Sequence, residues 1–231
     1  MAAATKAYIL RINTPISKEY AKICADSCDD VGLDWEYHEG YQNMTGRAGW
    51  CMTGIRMKFY EPVRYIPNPS PAQKANACSA GHGAIWKRIA DGKDEAAIVL
   101  EHDAIMVQPP SIDIPDGVIV VLGYKITDPE NYNHKNAGPP QKLVDIDGHE
   151  GAHAYAMTKR TAQFLVYEIE QKGVLGAVDN AYFIRQQRRT QVPLKLADPT
   201  PALGWIREST IWDSSANRNY EFISSFQENY K

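Results

Sequence analysis

The sequence predicts an α/β fold in which helices flank a mostly parallel central sheet. Three observations predict it. Ala96–Leu100 and Val118–Tyr124 are unbroken apolar runs, the mark of strands covered on both faces. Stretches with apolar residues at helical spacing alternate with such runs, which is the rhythm of an α/β chain. The chain also opens as strand, helix, strand, which suits a right-handed crossover over parallel strands.

In chain order, Ala7–Ile12 reads as a first strand that leaves through Asn13-Thr14-Pro15. Ser17 can cap the helix that follows to Val31, with Tyr20, Ile23, Cys24 and Cys28 on its apolar stripe. Gly32 closes that helix, and Leu33–Tyr37 reads as a second strand. From Glu39 to Pro71 the pattern is irregular and rich in glycine, proline and aromatics. So long a loop is either a substrate loop or an ordered excursion with a short hairpin around Thr53–Tyr60. Cys78, His82, Ile85 and Ile89 then share one stripe of a helix that ends at Asp91-Gly92-Lys93-Asp94. After the strand at Ala96–Leu100, Pro109–Pro115 reads as a loop and Val118–Tyr124 as a buried strand. Thr127–Pro140 is a polar loop, a natural acceptor contact or simply exposed chain. Ala152–Met157 reads as a strand, and Thr158 opens a helix with Phe164, Leu165 and Tyr167 inward. Ala177–Arg188 reads as a further helix and Pro193–Ala197 as a last strand. No period remains in the tail, which from about residue 213 is expected to be flexible.

The apolar run at Ala96 stops on Glu101-His102-Asp103. Side chains alternate along a strand, so Glu101 and Asp103 point one way and His102 the other. Two carboxylates on one side repel each other unless a cation lies between them, and hard oxygen ligands suit Mg²⁺ or Mn²⁺. Ligands of open α/β sheets bind outside the carboxyl ends of the strands, where this pair lies. The plainer reading is a solvated strand end. His82, on an apolar helix face, reads as a hydrogen-bonded core histidine before a ligand.

Composition bounds the function. The 231 residues carry a formal net charge of −3, so no global basic field recruits nucleic acid. A chain of that length suits one domain, 1–231. No apolar run approaches the roughly 18–20 residues of a transmembrane helix. The opening MAAATKAYILRI lacks the apolar core of a signal peptide. Cys24, Cys28, Cys51 and Cys78 read as buried free thiols in a reducing cytoplasm; a metal shared by Cys24 and Cys28 finds no partners at zinc-finger spacing. Arg185, Arg188 and Arg189 read as a solvated helix end, with phosphate binding as the alternative.

Cys78, His82 and Trp86, followed by an apolar strand and Glu-x-Asp, resemble the "GC..SH...W … LEDD" signature of glycosyltransferase family 25. That family includes lipopolysaccharide-biosynthesis and collagen galactosyltransferases. Gly151–Lys159 is similar to its "G.hAYliSk" strand, Ala177-Val178-Asp179 to its "PVD", and Ser209-Thr210-Ile211 to its "SdI". The blocks keep the family's order. Departures are Ala77 and Gly81 for the usual Gly and Ser, His102 for the middle acid, and no evident arginine in the first helix. Related enzymes also add a late histidine ligand, whereas no histidine follows His153.

The resemblance implies a GT-A type, Rossmann-like domain and an inverting hexosyltransferase. The donor would be a nucleoside-diphosphate sugar, UDP-linked and carrying galactose or glucose. The acceptor would be a hydroxyl on a glycan, a lipid-linked sugar or a protein. It implies donor contacts from Asn13, Asn76, Ser79, Glu101 and Asp103, with a divalent cation, Mn²⁺ or Mg²⁺, on Glu101 and Asp103. Asp179 is the implied base; the plainer role is an acid at a helix N-terminus. Two alternatives remain at this level. One is a nucleotide-sugar or glycan-binding module on the same fold without turnover. The other is a zinc hydrolase, since His149-Glu150-Gly151-Ala152-His153 matches HExxH. That chemistry needs both histidines on one helix face, and the preceding Asp147-Gly148 turn and the alternating residues after it argue for a strand.

Overall fold

A computed structural model describes residues 2–4, 6–44, 46–57, 70–125, 141–149 and 151–204. The polar segment Thr127–Pro140, Glu150, Ser209-Thr210-Ile211 and the tail lie outside the described residues.

After a short β1 (Ala2–Ala3), the predicted opening forms as β2 (Lys6–Arg11), α1 (Pro15–Asp30) and β3 (Asp34–Glu39), with β2 and β3 parallel. α1 starts two residues before Ser17, because Pro15 suits the first helical turn and the Thr14 side chain accepts the Ser17 N–H at 3.3 Å. The Ser17 hydroxyl in turn ties the helix to the chain just past β2, accepting the Ile12 N–H at 3.0 Å. Gly32 ends the helix in the left-handed region, at φ 69°.

The irregular stretch holds an unpredicted helix, α2 (Gly46–Met52). It packs on α3 (Pro71–Asp91), which begins in a capping box of Ser70 and Gln73. Small residues permit the approach: a Cβ on Gly83 would fall 2.4 Å from the Trp50 ring, and one on Gly49 3.2 Å from Ala80. No strand forms over Thr53–Met57, and the rest of the expected hairpin, residues 58–60, lies outside the described residues.

The chain continues through β4 (Ala96–Glu101), β5 (Ala104–Met106), β6 (Asp113–Ile114), β7 (Ile119–Val121) and β8 (Gly123–Lys125). The run predicted as one strand over Val118–Tyr124 is thus split between β7 and β8. Then come β9 (Lys142–Ile146), β10 (Ala154–Thr158), α4 (Lys159–Lys172), a π-helical turn (Asp179–Phe183), β11 (Leu194–Asp198) and β12 (Ala202–Gly204).

Seven strands form the central sheet in the order β3-β2-β4-β10-β7-β11-β9. β3, β2, β4, β7 and β11 run one way, and β10 and β9 run against them. Beside it lie a three-stranded sheet, β5-β12-β8, and the β1-β6 pair. Strand alternation divides the core. Tyr8, Leu10, Ala97, Val99, Tyr155 and Met157 face α3 and α4, while Ala7, Ile9, Ile98, Leu100 and Ala156 face α1. The molecule is therefore α/β as predicted, Rossmann-like, with helices on both faces of a sheet whose strands mostly share one direction.

Two predicted elements need correction. Ala177–Arg188 is not a helix: only the π turn forms, after which the chain folds back so that Tyr182 and Phe183 are buried. The arginines accordingly cap no helix end. Arg188 Nε donates to the Tyr182 carbonyl at 3.1 Å, Arg189 donates to the Leu175 carbonyl at 3.1 Å, and Arg185 pairs with Asp147 at 3.1 Å. In α4, Thr158 is the cap as predicted, but Phe164 and Tyr167 face outward. The buried stripe runs through Ala162, Leu165, Val166 and Ile169, at spacings of three and four residues. Among the described residues, no helix is long and apolar enough to cross a membrane.

Candidate active site at the carboxyl end of the central sheet

β2 and β4 lie side by side in parallel, with Leu10 opposite Glu101. The chain departs from β2 in one direction, through α1 to β3, and β4 lies on the other side. The order reverses there, which is where open sheets leave a crevice. Glu101 is the last residue of β4, on the Ala97–Val99 row and hence on the α3 side.

β10 runs antiparallel to β4, with Ala154 opposite Leu100, and the Glu101 N–H donates to the His153 carbonyl at 2.8 Å. Residues opposite each other in an antiparallel pair share a face. His153 therefore projects beside Glu101. Its Nδ1 is 3.4 Å from Glu101 Oε2 and 3.6 Å from Asp103 Oδ1, within charge-pairing range but without hydrogen-bond geometry. The turn after β4 brings Asp103 to the same side, while His102 stacks on Tyr20 of α1, ring centroids 6.0 Å apart. Glu101 and Asp103 thus share a side as predicted, and His102 opposes them.

Two glycines frame the imidazole. A Cβ on Gly151 would lie 2.6 Å from His153 Nε2, and one on Gly204 2.6 Å from its Cδ2. Any side chain at either position would displace the ring.

On its other side Glu101 meets α3. His82, fully buried, places Nε2 3.1 Å from Glu101 Oε1 and Nδ1 2.8 Å from the Tyr155 hydroxyl oxygen. The Trp86 indole N–H donates to that same oxygen at 2.8 Å. His82 is the hydrogen-bonded core histidine its setting predicted.

Burial alone would raise the Glu101 carboxyl, but contacts with His153 and His82 outweigh it and hold the group well below the usual carboxylate range. Burial would likewise lower His153, and the Asp103 and Glu101 carboxylates push it well above its ordinary value instead. Without another cation, the imidazolium is what offsets the acids.

Two groups of side chains bring ligand atoms within 4.8 Å of one another: Glu101 with Asp103 and His153, and Cys78 with His82 and Glu101. The first suits a cation. Asp103 Oδ1 and both ring nitrogens of His153 are buried without hydrogen-bond partners. In the second, both His82 nitrogens are engaged, and burial, then the charges of Glu101, Asp179 and Asp103, raise the Cys78 thiol well above its ordinary value. A thiol held that way is a poor metal ligand.

Asp179 is close enough to Cys78 for its charge to help raise that thiol, after burial and the Glu101 charge. It opens the π turn, anchored to α3 by the Val178 N–H donating to Ser79 Oγ at 2.7 Å. Ser79 is buried and its hydroxyl also donates to the Ala75 carbonyl at 3.0 Å. Asn13 is exposed just beyond β2, its carbonyl accepting from Gln42 at 3.3 Å, and Asn76 is exposed on α3. The structure therefore brings Glu101 and Asp103 together with His153, places Asp179 at the start of the π turn, and uses Ser79 to tie that turn to α3.

His149 and His153 share no helix. Residues 151–153 are not helical and β10 begins at Ala154, because the segment pairs with β4. The HExxH reading fails on that geometry.

No family model matches the chain and no curated protein matches it. Solved structures similar in shape include the galactosyltransferase LgtC in complex with donor and acceptor sugar analogs, at 7% identity over 97% of this chain and 95% of that one, TM-score 0.46. An active-site mutant of LgtC gives the same figures. The glycosyltransferase GlyE of Streptococcus pneumoniae TIGR4 is 11% identical over 97% of this chain and 60% of that one, TM-score 0.44. At this distance they assign no activity.

Sequence reasoning missed His153 as a partner of the acids, along with Tyr155. Its signal was the odd-numbered row His153, Tyr155, Met157 on one face of a strand; which strand that face would meet is not written locally.

Proposed function

We propose that the chain is a GT-A-type glycosyltransferase that moves a hexose, galactose or glucose, from a UDP-linked donor to an acceptor hydroxyl on a glycan, lipopolysaccharide or protein. The observation that carries this reading is the cluster of Glu101, Asp103 and His153, with unpartnered ligand atoms, outside the carboxyl end of β4. Two carboxylates and one imidazole fit a divalent cation, and the mixed set favours Mn²⁺ over Mg²⁺. Bound there, the cation would neutralise the donor diphosphate and stabilise it as a leaving group.

The chain's own residues do the rest. Asp103 and Glu101 supply the negative charge, and His153 joins them as a neutral ligand once its proton is lost. Asp179 takes the acceptor proton as the hydroxyl attacks the sugar from the face opposite the diphosphate. The family resemblance of Ala177-Val178-Asp179 supports that role, as does the place of Asp179 at the start of a π turn anchored to α3.

Asp103→Asn and Asp179→Asn separate the two tasks. The first should remove metal-dependent donor binding together with turnover. The second should keep metal and donor and lose transfer. Transfer at the wild-type rate in either variant would move the site elsewhere.

A further inference from the structure

Trp86, Tyr155 and His82 form a fully buried chain that ends on Glu101. The direction of its hydrogen bonds follows from what each group can do. An indole N–H only donates, so the Tyr155 oxygen accepts from Trp86. Tyr155 retains one proton to give, and the ring nitrogen His82 Nδ1 lies 2.8 Å away to take it. A nitrogen that accepts is unprotonated. The proton of the neutral imidazole then sits on Nε2, which donates to Glu101 Oε1 at 3.1 Å. In the opposite tautomer a ring lone pair would face the carboxylate, and the tyrosine proton would lose its acceptor. Only the first arrangement pairs every polar atom of the chain, as burial requires.

We propose that Tyr155 and Trp86 are positioning residues that lock His82 as its Nε2–H tautomer. The lock dedicates Glu101 Oε1 to His82 and leaves Oε2 facing His153 and Asp103. The carboxylate is thus held asymmetrically, with one oxygen fixed by the core and the other presented to the cation site. Outer partners that fix a ligand's orientation act on metal affinity through geometry, with no contact to the metal. The inference rests on the reading of Glu101, Asp103 and His153 as a cation site.

Two measurements on the full chain test it. Nitrogen-15 NMR of the histidine side chains, with His82 assigned by difference from His82→Gln, should show the neutral Nε2–H tautomer. Titration with Mn²⁺ alone should give Tyr155→Phe an affinity lower than wild type by about 10–100-fold, with the fold intact by circular dichroism. An Nδ1–H tautomer or an imidazolium at His82 overturns the lock. A folded Tyr155→Phe that binds Mn²⁺ as wild type does reduces Tyr155 to a packing role and overturns the positioning claim. If Tyr155→Phe does not fold, or the wild type takes up no Mn²⁺, the spectrum decides the lock by itself. In the second case it is the cation-site reading that has failed.

Discussion

His153 sits between two acids, and its proton and a cation compete for the same place. Glu101 and Asp103 raise its affinity for the proton, so cation binding at neutral pH must displace that proton. Mn²⁺ affinity should therefore climb as pH rises toward the raised value of His153, and His153→Gln should flatten the climb. Isothermal titration across pH checks this, and a flat wild-type profile would contradict the competition. The metal-free protein should behave in the opposite sense. Its depressed Glu101 carboxyl contributes stability that is present above the ordinary value of 4.5 and lost as pH falls through the depressed value. Its raised His153 contributes stability that is complete below the ordinary value of 6.5 and lost as pH rises through the raised one. Between those ordinary values both contributions are whole. Urea midpoints in the presence of a chelator should decline on the alkaline side, and less so in His153→Gln.

The elements that hold the site rely on close backbone approach. Gly204 in β12 leaves room for the His153 ring, and φ there is not in the left-handed region, so Gly204→Ala tests space alone. The new Cβ should push the imidazole aside and lower Mn²⁺ affinity about tenfold or more, with the fold retained. In Gly83→Ala the Cβ would meet the Trp50 ring at 2.4 Å and force α2 off α3. Overpacking of that kind costs about 1–3 kcal/mol, readable by urea denaturation. Sequence alone located α1, α3, α4, β4 and β10 because each has a strong period or an unbroken apolar run. It missed α2, whose glycine-rich sequence has no period and whose helix depends on fitting Trp50 over Gly83. It missed β12 because three residues carry no pattern, and β9 because that edge strand is half exposed. Phe164 and Tyr167 face outward, against expectation, because the phase set by Leu165 and Ile169 turns them away from the core.

At the scale of the whole molecule, the site exists because of the strand order. Placing β4 beside β2, with β10 reversed against β4, brings a strand's end and a strand's beginning together. Glu101 and Asp103 were legible as a pair from their spacing; His153 was not, because strand pairing joins residues 52 positions apart in the chain. Tyr155 was hidden for the same reason, while its partners His82 and Trp86 stand together in the helical block that carries the family resemblance. The most direct test of the central claim is binding and slow hydrolysis of a panel of nucleotide sugars, with and without Mn²⁺. The account predicts Mn²⁺-dependent hydrolysis of one UDP-hexose that Asp103→Asn abolishes. Binding without hydrolysis, even with acceptor sugars added, would describe a binding module. No binding of any nucleotide sugar, with or without the metal, would contradict the account and leave only the fold.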